Sequence, residues 1–335
     1  MDMFGIIGNG SWATALTKML TDNQHTVHWW MRNDNAVNHL KQKYHNLHYL
    51  TAVNFEPSKI VPTTDLRELL KHCTTLVIAV PSAYVLDVLS TLSASDLQGK
   101  TIISAIKGIL PIHQELLNDY LHKQLEVPLA NYIAITGPCH AEEVAQERLS
   151  YLTFSGLDAA LTQSCAHAFT TDYIRTTVNQ DLWGVQYAAV LKNIYAVGAG
   201  IAHGCGYGDN FLSVYITNCY REMHRFLQYQ FSISDTNNIN PDFFTSAYLG
   251  DLLVTCYSPH SRNRAFGSYL GKGYSVKAAI AEMNMVAEGY YAVKGMQKII
   301  QDLGIDLPIV SLINDMLWNQ APITGTFHKI ETILS

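Results

Sequence analysis

A short apolar run, Met3-Phe4-Gly5-Ile6-Ile7, passes directly into Gly8-Asn9-Gly10-Ser11-Trp12-Ala13 and then into a helical stretch reaching about Leu20. No other part of the chain constrains the fold as strongly as this GxGxxA turn between strand and helix. Gly8 permits the tight turn, Gly10 lets backbone approach a pyrophosphate, Ala13 lets helix and strand pack closely, and the helix N-terminus faces the anion. The next apolar run, residues 26–31, ends about twenty residues on, where the adenosine ribose of a dinucleotide lies. The acidic residue expected there for NAD is absent, and Arg32 stands in its place. An arginine accepts a 2′-phosphate, which favours NADP while allowing NAD; the alternative is an ordinary solvated side chain.

The first half continues as short apolar runs at 75–80, 101–106, 132–135 and 152–155, each closed by a polar or glycine-containing turn and separated by helical stretches. That βαβ rhythm fades near Trp183, and helical patterns follow at 185–202, 211–226, 242–249, 276–283 and 286–303. The expected class is α/β: a Rossmann-type dinucleotide-binding sheet over residues 1–185, then an all-helical substrate and catalytic domain over residues 186–335. A chain of 335 residues, 48% of them hydrophobic, is long enough for two such cores.

Composition removes several function classes. A net charge of −6 with no long basic run argues against a nucleic-acid surface. The N-terminus lacks the basic flank and apolar core of a signal peptide, and no stretch of about eighteen uninterrupted apolar residues offers membrane insertion. The 6 cysteines form no CxxC pair and the 14 histidines no HExxH, so the reading is reduced thiols in a cytoplasmic protein without a metal site.

Three constellations carry chemistry. Lys192 is the single cation in the apolar run AAVLKNIYAVGAGIAHG, and helical spacing surrounds it with Ala188, Ala189, Ala196 and Ala199. A buried lysine is costly, so it either meets a substrate or carboxylate in the space that methyl groups leave, or it snorkels to solvent or pairs with a buried acid for packing alone. Apolar surroundings lower its pKa toward the range useful for proton transfer. Lys107 follows the strand at 101–106, on the sheet edge shared with the glycine turn, where it faces a binding crevice or simply solvent. Ser261-Arg262-Asn263-Arg264 opens a helix ten residues after Gly250-Asp251, and a hydroxyl, a guanidinium fork and amide donors beside free backbone N–H groups suit a phosphate. The alternative is a capped helix with a solvated basic first turn, but a basic first turn opposes the helix dipole, a conflict that an anion resolves.

Taken in order, GNGSWATAL, IKG, GPCHAEEVA, LKNIYAVGAGIAHGCGYGDN, GDLLVTC, HSRNRAFG and VAEGYYAVKG resemble bacterial NAD(P)-dependent glycerol-3-phosphate dehydrogenase along nearly the whole chain. The resemblance implies interconversion of dihydroxyacetone phosphate and sn-glycerol 3-phosphate, supply of glycerol 3-phosphate for phospholipid synthesis, and a homodimer. It implies cofactor contacts at Ser11, Trp12, Arg32, Asn33, Ala141, Val286 and Glu288, beside Gly8 and Gly10 of the turn. Lys107 and Arg262 would touch both cofactor and substrate. Gly137, Cys139, Asp251, Ser261 and Asn263 would contact the substrate, with Lys192 as proton donor and acceptor. Cys139 departs from the Ser or Thr usual in the family and is a weaker hydrogen-bond partner.

Overall fold

The computed structural model describes residues 3–233, 241–283 and 287–335. The chain forms two compact units. The first runs up to Val80 and takes in Tyr84–Ile106 and Leu117–Leu182; the second is Pro81–Ala83, Lys107–Leu116 and the chain from Trp183 onward.

The first unit is built on one sheet of strands β1 (Phe4–Ile7), β2 (Val27–Trp30), β3 (Ile60–Thr63), β4 (Thr75–Ile78), β5 (Thr101–Ser104), β6 (Tyr132–Thr136), β7 (Ser150–Gly156) and β8 (Ile174–Asn179). Their spatial order is β3-β2-β1-β4-β5-β6-β7-β8. Strands β3 through β6 are parallel, with Ile7 opposite both Trp30 and Ile78, whereas β7 runs antiparallel to β6 and parallel to β8. The carboxyl ends of β1, β4, β5 and β6 therefore lie on one edge. Strands β1 and β4 are buried at every residue, as a parallel sheet covered on both faces requires. Ile6, Leu16, Trp29, Val77, Ile133 and Phe154 form its core.

Two of the eight strands, β3 and β8, do not stand out as apolar runs in the sequence, and both lie at sheet edges. Strand β3 contains Pro62, which an edge tolerates because it need not donate on its outer side, and its Val61 is exposed. Strand β8 reads IRTTVN and is buried at one residue only.

Within the second unit the helix Leu182–Gly204 is buried along most of its length and crosses the helix Arg262–Gly271 at very short range. A Cβ on Gly267 would strike the Val197 carbonyl oxygen, and one on Gly200 would strike that of Arg264. These glycines set the separation of the two helices. The helix expected over 242–249 is replaced by a turn and a π-helical turn, Ser246–Gly250, which leads into the helix Asp251–Tyr257. The Asp242 side chain accepts from Phe244 N and so holds the start of that segment in a turn. The remaining helices include Asp209–Ile233, Val276–Glu282, Glu288–Leu303, Pro308–Trp318 and Ile323–Ile333.

Candidate active site

In the first unit the glycine turn is rigidly held. Gly8 has φ +126° and a Cβ there would lie 2.5 Å from the Ala79 carbonyl oxygen, so only glycine fits. Gly8 N donates to Trp30 O at 3.2 Å and the Trp29 indole donates to Gly8 O at 2.6 Å. The Asn46 amide donates to Asn9 O at 3.0 Å and to Thr14 Oγ1 at 2.9 Å, which ties a distant loop to the turn. A Cβ on Gly10 would meet nothing within 4 Å, and the helix it caps, Ser11–Asp22, has no acidic residue in its first turn. An open backbone approach at the positive end of a three-turn helix fits a dinucleotide pyrophosphate.

Ser11 is buried and Trp12 half-buried at this helix start. Arg32 is exposed just past the end of β2. Asn33 caps the helix Asp34–Lys43, its Oδ1 accepting from Ala36 N at 2.9 Å, so this oxygen already has a structural use. Past the end of β6, Gly137 has φ +113° and a Cβ would lie 2.8 Å from Tyr151 O. Cys139 and Ala141 are both buried.

The second unit holds the other predicted residues, and it brings most of them together. Lys192 is 3% exposed and donates to Asp251 Oδ1, itself 1% exposed. Ala188, Ala189, Ala196 and Ala199 are buried around it. Lys192 thus pairs with a buried acid and does not reach solvent, and that acid follows directly on the π-helical turn. Burial pulls the Lys192 pKa down to about 8; Asp251 works against this by favouring the cation, and Lys107 adds to it as a neighbouring positive charge. The Thr255 hydroxyl holds the Asp251 carbonyl at 2.6 Å.

Ser261 caps the helix Arg262–Gly271 by accepting from Arg264 N at 3.3 Å. Arg262 is half-buried in its first turn. Asn263 is more committed than a phosphate ligand needs to be: its amide donates to Asn193 Oδ1 at 2.9 Å and its oxygen accepts from Gly289 N at 2.9 Å. Asn193 in turn donates to the Lys107 carbonyl oxygen at 3.1 Å. Glu288 accepts from Ser82 N at 3.2 Å and from Ser82 Oγ at 2.5 Å. Burial raises the Glu288 pKa, with Ser82 and the Arg262 charge acting in the opposite direction. A Cβ on Gly108 would strike Ser82 Oγ, which accounts for the glycine after Lys107. Val286 lies outside the described residues.

Asn193 escaped the sequence reading as a site residue, whereas Ser82 and Gly108 were reachable only as residues that follow apolar runs on the sheet edge of the glycine turn, expected to ring the nicotinamide end of the cofactor. The one available signal was Asn193, a second polar side chain beside Lys192 in an otherwise apolar helix. Among the described residues no group of His, Cys, Asp and Glu is arranged to hold a metal ion, and no helix is long and apolar enough to cross a membrane.

Comparison with known proteins agrees over both units. Residues 4–161 match the family model for the NAD-dependent glycerol-3-phosphate dehydrogenase N-terminus, and residues 181–328 match that for its C-terminus. The glycerol-3-phosphate dehydrogenase [NAD(P)+] of Lacticaseibacillus paracasei is 34% identical over 331 residues, covering 95% of this chain and 91% of that protein. The enzyme of the same name from Oceanobacillus iheyensis is 32% identical over 319 residues, covering 95% and 90%. The crystal structure of glycerol-3-phosphate dehydrogenase from Coxiella burnetii superposes with a TM-score of 0.89 at 25% identity, covering 98% of each chain. A ketopantoate reductase from Ralstonia eutropha, with a TM-score of 0.53 at 13% identity, shares the fold alone. With a dinucleotide turn in one unit, a charge-paired lysine in the other and relatives matching across both, the chain belongs to the NAD-dependent glycerol-3-phosphate dehydrogenase family.

Proposed function

We propose that this protein interconverts dihydroxyacetone phosphate and sn-glycerol 3-phosphate with NAD(P)H, and that Lys192 moves the proton. The buried Lys192–Asp251 pair carries this reading. When bound, the nicotinamide supplies or accepts the hydride at C2. Lys192 donates its proton to the C2 oxygen as negative charge develops there, and in the reverse direction takes the proton from the hydroxyl. Asp251 keeps the ammonium charged and aimed. Arg262, at the start of its helix, offers a two-pronged guanidinium to the phosphate, and Lys107 adds a second cation.

Gly8, Gly10, Ser11, Trp12 and Ala141 hold the dinucleotide, together with Arg32 on the 2′-phosphate of NADP, and with Glu288 and Val286. Asn33 contributes by fixing the helix that follows Arg32. Gly137, Cys139, Ser261 and Asn263 are assigned to the substrate. Residues 1–185 serve the cofactor and residues 186–335 the substrate, with the Lys107 segment joining the latter. Glycerol 3-phosphate so made feeds phospholipid synthesis, in a cytoplasmic homodimer that binds no nucleic acid.

The test is oxidation of NADH and of NADPH by the purified protein with dihydroxyacetone phosphate, unphosphorylated dihydroxyacetone and ketopantoate in turn. Turnover that is fast only with the phosphorylated ketone is expected. Turnover with ketopantoate alone would overturn the reading.

A further inference from the structure

Hydrogen bonds and one packing contact of the second unit close into a ring through five separate stretches of chain. Ser82 bonds Glu288 with both its backbone N–H and its hydroxyl. The next residue, Gly289, donates to Asn263, Asn263 donates to Asn193, and Asn193 donates to the carbonyl of Lys107. Gly108, directly after Lys107, packs against Ser82 and completes the ring. Asn193 and Asn263 are both buried, where an amide left unpaired is costly, so each holds its partner in a defined place.

Asn193 has a particular position in this ring. It sits next to Lys192 on one rigid helix and grips the backbone of the only other lysine whose charge acts on Lys192 among the described residues. We infer that Asn193 is a positioning residue for the reaction: through the Lys107 carbonyl it fixes where the Lys107 side chain starts, and hence how far the Lys107 ammonium stands from Lys192 and the substrate. This rests on the proton-transfer reading of Lys192 given above. Asn193 itself touches no reacting atom. Its effect passes through Lys107.

Among the described residues, the charges acting on Lys192 include Asp251, on the helix Asp251–Tyr257, and Lys107, and the Cys256 thiol of that helix in turn feels the Lys192 charge. Of these, Lys107 alone is held by Asn193, and its charge disfavours the protonated form of Lys192. If the anchor is lost and Lys107 moves away, the pH at which Lys192 gives up its proton rises.

The experiment is a double-mutant cycle with Asn193→Ala, Lys107→Ala and the pair, with Asn193→Ser as a milder second variant should alanine impair folding. Steady-state kinetics with dihydroxyacetone phosphate are read across pH 6 to 10. Asn193→Ala is expected to raise KM roughly tenfold, the scale of one buried hydrogen bond, and Asn193→Ser less. Both should move the alkaline step in kcat up by about half a pH unit, which a loss of stability alone would not do. In the Lys107→Ala background, either substitution should add nothing further to the alkaline step, and any residual rise in KM there belongs to the Asn263 contact that Asn193 also makes. Full additivity of the two substitutions would overturn the role of Asn193 while leaving the lysine chemistry intact. A Lys107→Ala protein with unchanged KM and pH profile would overturn the roles of both Asn193 and Lys107.

Discussion

Lys192 lies buried in a helix face of alanines and donates to Asp251. A lone cation among alanines at helical spacing has no reason to be there unless something answers its charge, and Asp251 does so at 1% exposure. The pairing sets the direction of the pH dependence. Lys192 must be protonated to act as the acid, and burial brings its pKa down to about 8, so kcat for ketone reduction should fall as pH rises through about 8 while oxidation of the alcohol gains. Asp251 favours the cation, so Asp251→Asn should shift that step to lower pH; a shift to higher pH in pH–rate profiles would contradict the pairing. Arg262 differs because the role proposed for it, holding the phosphate, calls for a fork that lysine lacks. Arg262→Lys should raise KM for dihydroxyacetone phosphate clearly and leave the slow rate with dihydroxyacetone nearly unchanged. An equal loss with both ketones would assign Arg262 to the cofactor or the fold. Arg32→Ala should weaken NADPH by about 1.5–3 kcal/mol and NADH hardly at all, measured by titration of each cofactor. Asn193 and Ser82 were harder to read, since a hydrogen bond to a backbone atom 86 or a side chain 206 positions away leaves no periodic trace.

At the scale of elements, strands that are buried on both faces were legible and edge strands were not. Burial demands continuous apolar residues, as in β1 and β4, whereas β3 and β8 need to satisfy only one neighbour and so carry Pro62 and the threonines of IRTTVN. The π-helical turn before Asp251 was equally hidden, because a one-residue change in winding barely alters the hydrophobic pattern. The contact between the helices Leu182–Gly204 and Arg262–Gly271 depends on glycine more visibly. Since a Cβ on Gly267 has backbone in its way and no flexible side chain to displace, Gly267→Ala should cost about 1–3 kcal/mol and lower the melting temperature. The same shift would move Arg262 and Asn263 relative to Lys192, so KM for dihydroxyacetone phosphate should rise as well. Calorimetry showing an unchanged melting temperature would mean that the helices can separate freely, against the close contact described here.

For the molecule as a whole, the proposed function divides the work between the two units by chemistry: the first has an open helix N-terminus and glycine backbone suited to an anion, and the second has the buried, charge-paired lysine proposed to act on a carbonyl. The glycine turn was readable because its requirements are local, falling within six consecutive residues. The second unit's membership was less so, because Pro81–Ala83 and Lys107–Leu116 join it from within the sequence of the sheet. The division has a direct consequence for Lys192→Ala. It should lower kcat by about two to four orders of magnitude, the scale of general acid catalysis, and leave NADPH affinity within about twofold of the native protein. Measuring kcat with dihydroxyacetone phosphate beside the dissociation constant for NADPH on the same preparation decides the matter: lost turnover with intact cofactor binding is expected, whereas a variant keeping more than about a tenth of native kcat would show that another group moves the proton.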